Sequence, residues 1–127
     1  MKVITMNTNW YEQELVKEFK TVIAHSFPQV EELLKYCHVK LIEFYWGRPR
    51  VHFLPYFTIY CPDNLIAAVK SKISILREVA EYAGLVNVVC INATNLLRDP
   101  MSKVKPTDPR LWLELQWLIT QEQEQLL

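Results

Sequence analysis

The stretch HVKLIEFYWGRPRVHFLPYFTIYC, residues 38–61, decides the fold. Its first nine residues are rich in β-branched and aromatic side chains and predict a strand. Residues 51–61 predict a second strand, and residues 47–50 predict the turn of a hairpin. Because proline has no N–H to donate, Pro55 predicts that the second strand is an edge strand or bulges there.

Helical periodicity predicts two helices before the hairpin. Asn9 followed by Glu12 resembles a capping box that begins the first helix. Ser26 followed by Gln29 marks the start of the second helix in the same way.

Beyond the hairpin, apolar residues at steps of three and four predict one long helix. Asp63 is its expected N-cap, and Gly84 its expected C-terminal stop. Residues 85–91 are nearly continuously apolar, which is typical of a strand covered on both faces. That strand would pair in parallel through a helical crossover.

Residues 92–107 predict a long surface connection to a C-terminal helix over 109–121, which Asp108 and Pro109 begin. The order is therefore α-α-β-β-α-β-α. It predicts an α+β fold in which helices pack on a small three-stranded mixed sheet, a hairpin plus one crossover strand. At 127 residues the chain is expected to be a single domain, 1–127.

Composition narrows the function classes. The chain is 50% hydrophobic with a net charge of zero, which favours a globular protein over a dedicated polyanion binder. With only two glycines, no glycine-rich phosphate loop can be written, so no nucleotide cofactor is expected. Three widely spaced cysteines, no membrane-length apolar run and no secretory leader predict a small soluble protein of the reducing cytoplasm.

A two-residue turn at Arg48 and Pro49 would pair Trp46 with Val51 and sort the hairpin into two sides. The expected core side carries Ile42, Phe44, Trp46, Val51, Phe53, Phe57 and Ile59, with His38 and Lys40 at its end. The expected outer side carries Glu43, Tyr45, His52, Tyr56 and Thr58, with Val39, Leu41 and Leu54. It is amphipathic, as binding surfaces often are. Either the chain's own helices cover this outer side, or another chain does.

The leading hypothesis is a non-enzymatic protein-binding module, either an adaptor or a self-associating protein. Tyr45, His52 and Tyr56 are the candidate contact residues of the hairpin. Trp117 falls off the apolar stripe of the last helix, which predicts an exposed anchor for a protein partner or a second copy.

Nucleic-acid binding is the first alternative. Seven basic and two acidic residues lie between Leu33 and Arg77. Arg48, Arg50 and Lys70 could contact phosphates, while Trp46 stacks on a base. The acidic residues near both ends of the chain argue against this alternative.

A cysteine-dependent enzyme is the second alternative. Cys61 precedes a predicted helix N-terminus, which lowers a thiol pKa, and His38 would lie near it in the hairpin. No local sequence around Cys61 matches a cysteine-enzyme signature, so catalysis is not the favoured interpretation. No metal site is expected, because the cysteines and histidines lack the close spacing that zinc ligands show.

Overall fold

The computed structural model describes the backbone of residues 2–46, 52–85 and 87–126. The elements are α1 (Lys2–Ser26), α2 (Pro28–Leu34), β1 (His38–Trp46), β2 (His52–Cys61), α3 (Ile66–Lys70), α4 (Ile73–Tyr82), β3 (Asn87–Asn92), α5 (Ala93–Arg98), α6 (Val104–Thr107) and α7 (Pro109–Leu126). The sheet order is β1-β2-β3, with β1 antiparallel and β3 parallel to β2. The predicted α+β class and the mixed three-stranded sheet are confirmed.

The expected place of the second strand is wrong, because β2 is central in the sheet. Pro55 pairs with Glu43 in a register that runs through without a bulge. The parallel ladder with β3 begins one residue later, where Tyr56 pairs with Asn87. The missing N–H of Pro55 therefore removes no bond from the described part of that ladder, 56–61 with 87–92.

The expected hairpin register is also wrong, by one residue. Trp46 pairs with His52, which leaves five residues, 47–51, between the two pairing positions; these five lie outside the described residues. The predicted two-residue turn would have left an even number of residues between paired positions. A change of one residue in the pairing register moves the side chains of one strand to the opposite face relative to its partner strand. Val39 and Leu41, expected on the outer side, are only 5% and 2% exposed in the core beside Ile59.

The larger core lies between α1–α4 and one face of the sheet. Phe19 of α1 packs on Phe57 of β2 with 4.3 Å between the ring centroids. Leu76 of α4 and Val88 of β3 are fully buried in the same cluster. All four helices thus contribute buried side chains over the described part of this face, around Phe57, Ile59 and Cys61.

A second core covers the other face. Tyr60 of β2 packs with Ala93 of α5 and with three leucines of α7, Leu111, Leu115 and Leu118. Helices therefore lie on both faces of the sheet, in three layers. The outer side of the hairpin was expected to be covered either by the chain's own helices or by another chain. Around Tyr60, the chain's own helices α5 and α7 cover it.

Several helices begin, end or divide at residues other than those predicted from the sequence. Helix α1 begins at Lys2 rather than at Asn9, and α2 follows an N-cap residue, Phe27, that makes no side-chain cap bond. The single long helix predicted after the hairpin is two, α3 and α4. Between them, Ser71 donates its hydroxyl hydrogen to the Ala68 carbonyl, a bond that competes with the helical ladder.

Asp63 does not cap a helix. Its backbone N–H donates to Thr94, and its carboxylate accepts from the side chain of Asn92, so it joins β2 to the start of α5. Gly84 does end α4, with φ at +85°, in the left-handed region that glycine tolerates best. The predicted 92–107 connection contains α5 and α6, and α7 continues past residue 121 to Leu126.

Candidate functional site

Helix α7 is held at its start by Asp108. One carboxylate oxygen accepts the backbone N–H of Leu111 at 3.2 Å, as an N-cap should. The other accepts from Lys40 of β1, whose Nζ lies 2.7 Å away. The hydrogen bond from Lys40, helped by the Leu111 N–H, lowers the pKa of Asp108 and keeps it ionised. The same side chain thus begins α7 and ties it to the sheet edge.

A second polar contact joins the next turn of α7 to β1. His38 Nε2 lies 3.1 Å from a carboxylate oxygen of Glu114. Burial lowers the pKa of His38 more than the Glu114 carboxylate raises it, which favours the neutral imidazole near pH 7. Two successive turns of α7 are therefore fixed to one edge strand.

The outer face of α7 presents apolar surface that the chain leaves uncovered. Leu113 is 62% exposed and Trp117, one turn later, is 65% exposed. Trp112, beside them in the sequence, is half-buried under the Lys105 ammonium, 4.7 Å from its ring centroid. Exposed apolar side chains of this kind, one turn apart on a helix, are enriched in helical protein contacts. We call Leu113 and Trp117 the α7 stripe.

The predicted hairpin surface is not a single surface. Tyr45 pairs with Phe53 and belongs to the row of register positions that contains Leu41, whereas His52 and Tyr56 belong to the other row. The side chains of Tyr45 and His52 lie outside the described residues, and Tyr56 is half-buried. The correction follows from the one-residue change of register, which separates residues that the predicted turn placed together.

The residues of the nucleic-acid alternative are only partly described. Arg48 and Arg50 lie outside the described residues, as does the side chain of Trp46 at the end of β1. Lys70 is exposed at the last residue of α3. This alternative remains a prediction.

Cys61 and His38 are not brought together. Their strand positions put His38 on the face that α7 covers, and Cys61 in the larger core under α1–α4. Cys61 is fully buried, with its Sγ 3.6 Å from the Ile59 carbonyl. Contacts with the thiols of Cys37 and Cys90, together with burial, raise its pKa, which is the reverse of what a nucleophile requires.

An open groove of about 670 Å³ lies beside β1, between α1 and α7. Lys17 and Lys20 line its α1 side, and Arg110 and Glu114 line its α7 side. Sequence reasoning missed this groove and the two polar contacts at its edge. Nothing in local spacing indicates that β1 will meet a helix about 70 residues further along the chain.

The described part of the chain was searched for metal-ligand clusters and for membrane-spanning helices. None of its groups of three or more His, Cys, Asp or Glu side chains is arranged to hold a metal ion. No helix within it combines the length and apolarity needed to cross a bilayer.

Comparison with known protein families, curated proteins and solved structures gave no match to this chain. The function is therefore inferred from the exposed surfaces and polar contacts of the chain itself.

Proposed function

We propose that this protein is a non-enzymatic protein-binding module that associates with a second copy of itself through the α7 stripe. The observation that carries the proposal is the exposure of Leu113 and Trp117 on a helix whose opposite face is buried. Exposed tryptophan is costly in water and is enriched where partners bind, so this face suits a contact.

Charge along the same helix favours a second copy as the partner. Arg110 lies seven residues before Trp117, and Glu124 lies seven residues after it. Seven residues are about two helical turns, so all three positions fall along one side of α7. In an antiparallel pair of α7 helices centred on Trp117, Arg110 of each copy would face Glu124 of the other. A zero net charge adds no overall repulsion between copies.

The size of the stripe sets the strength of the association. Two apolar side chains per copy cover much less than the roughly 800 Å² per partner of a stable interface. We therefore expect a reversible dimer that forms at micromolar concentrations or above.

Sedimentation velocity over a concentration series tests this proposal. The full chain should move from its 15.0 kDa monomer towards twice that mass as the concentration rises. Trp117→Gln should shift the dissociation constant upward at least about tenfold, since a buried interface tryptophan contributes more than 1.4 kcal/mol.

Tyr82→Gln is the matched control, because Tyr82 is 90% exposed on α4, away from the stripe. It should leave the dissociation constant unchanged. A wild-type chain that stays monomeric at several hundred micromolar, or a Trp117→Gln variant that dimerises as well as wild type, would overturn the proposal.

A further inference from the structure

Strand β1 is an edge strand whose free side faces the groove between α1 and α7. In the described sheet, β1 pairs with β2 and with no other strand. Four consecutive residues of β1, 38–41, line the groove. Because consecutive side chains of a strand point to opposite faces, a groove that touches all four runs along the edge of the strand rather than over one face. The backbone edge of β1 is therefore the floor of the groove.

This floor carries backbone groups that lack a partner in the described part of the chain. In an antiparallel pair, every second residue directs its N–H and C=O away from the neighbouring strand. Apart from the ladder with β2, residues 38–41 make no backbone–backbone hydrogen bond with any described residue. An edge of this kind is a template on which a further extended strand can pair.

The walls of the groove select what can reach this edge. Helix α1 stands on one side and the first turns of α7 on the other, and both pack against β1. In a second copy, β1 lies at the floor of the same groove. Two edges recessed in this way cannot approach to the spacing of paired strands, about 4.8 Å. A single extended peptide, without flanking helices, fits between the walls.

The charges that line the groove are equal in number but not equally engaged. Four basic and four acidic side chains belong to the lining. Asp108 accepts a hydrogen bond from Lys40, with 2.7 Å between the charged atoms. Glu114 lies 3.1 Å from His38 and 3.8 Å from Arg110. The α7 side of the groove therefore carries charges that already have partners.

The α1 side carries two cations that make no ion pair within the described part of the chain. Lys17 and Lys20 lie one helical turn apart, line the groove and are exposed. Glu31 of α2 also lines the groove, but no ion pair joins it to either lysine. Glu12, on the same helix as the lysines, is already engaged. Two cations and one uncommitted carboxylate leave this side positive, which favours an acidic ligand.

We propose that the groove binds an extended acidic peptide of a partner protein, which pairs with the free edge of β1 as a fourth strand and directs acidic side chains to Lys17 and Lys20. Residues 38–41 span about 13 Å, so about four peptide residues pair with them. The backbone bonds supply affinity, and the two lysines supply the preference for acidic side chains. The proposal does not rest on the α7 stripe, since neither Leu113 nor Trp117 lines the groove.

Fluorescence polarisation gives a direct test on the folded full chain. The probe is a fluorescein-labelled hexapeptide of alternating threonine and glutamate with blocked ends, whose glutamates share one face of an extended strand. We expect saturable binding at protein concentrations up to several hundred micromolar. The matching peptide of threonine and lysine should bind at least about tenfold more weakly. Trp117→Gln should bind the probe as tightly as wild type, which separates this site from self-association.

Backbone methylation distinguishes strand pairing from attraction between charges alone. Consecutive residues of an extended strand direct their N–H groups to opposite edges. N-methylation of the glutamates therefore blocks one edge of the probe, and N-methylation of the threonines blocks the other. We expect one of the two modified peptides to lose binding and the other to keep it. In the complex with the unmodified probe, hydrogen exchange of the backbone N–H groups in residues 38–41 should slow.

Charge variants test the α1 side. Lys17→Glu combined with Lys20→Glu should weaken binding of the probe at least about tenfold, because both cations become anions. Lys70→Glu combined with Lys103→Glu is the matched control. Both of these lysines are exposed, neither lines the groove, and the net charge changes by the same amount. The control should bind the probe as wild type does.

Four results would overturn the proposal. They are no binding of the threonine–glutamate peptide at several hundred micromolar protein, equal binding of the threonine–lysine peptide, binding that neither pattern of methylation reduces, and a Lys17→Glu/Lys20→Glu variant that binds as well as its control.

Discussion

At the scale of single residues, Asp108 links local and long-range structure. It caps α7 through Leu111 and pairs with Lys40 of β1. Replacing it with alanine removes both contacts and should lower the free energy of unfolding by about 1–2 kcal/mol. Asp108→Asn keeps a capping oxygen and should cost less. Urea denaturation of the three proteins at pH 7 measures the difference.

The pH dependence of this effect has a definite sign. The folded-state pKa of Asp108 is lowered, chiefly by the Lys40 hydrogen bond, so its charge stabilises the fold above the unfolded-state pKa of about 3.9. That contribution is lost as the pH falls through the lower folded-state pKa. Wild type and Asp108→Asn should therefore differ at pH 7 and converge in strong acid. An equal difference at pH 7 and in strong acid would contradict the role given to the charge.

At the scale of elements, the charge pattern of α7 offers a test that does not touch its apolar residues. Arg110→Glu should weaken self-association, because two acidic positions then face each other in the antiparallel pair. Combining it with Glu124→Arg restores opposite charges and should restore the dissociation constant. Light scattering at low salt measures both, since salt screens exposed pairs. A double variant no better than the single one would exclude the antiparallel arrangement.

Some features of the helices and strands were predictable from local sequence, and others depended on tertiary packing. The buried apolar face of α7, with Leu111, Leu115 and Leu118, and the start of the helix at Asp108 were predictable. Both depend on residues within a few turns of each other. The place of β2 at the centre of the sheet was not. Pro55 lacks a backbone N–H, which from the sequence alone argues for an edge strand. The structure shows that the described ladder between β2 and β3 begins only at Tyr56 and Asn87, one residue after Pro55.

At the scale of the whole molecule, the two cores share β2. Phe57 belongs to the larger core and Tyr60 to the smaller one, three residues apart. Because one strand carries both, we expect the domain to unfold in a single cooperative transition. Phe57→Ala should cost about 3–5 kcal/mol, and Leu115→Ala in the smaller core about 2–5 kcal/mol.

Tryptophan fluorescence and far-ultraviolet circular dichroism should report the same midpoint for each variant. Tyr82→Ser, on the exposed surface, is the control and should change stability by less than about 0.5 kcal/mol. A separate early transition in Leu115→Ala would instead show that the α5–α7 layer unfolds independently of the sheet.

The sequence by itself determined the three strands and the exposure of Trp117, because these follow from propensity and from periodicity within one element, and the crossover rule added the mixed sheet. It did not predict α5 and α6, or the division between α3 and α4. Only the tertiary structure decided the hairpin register, the separation of Tyr45 from Tyr56, and the placing of Cys90 on the sheet face that holds Cys61. The physical reason is that alternation in a strand has a period of two. It sorts residues into two rows, and which row becomes the core depends on the helices that arrive from elsewhere in the chain.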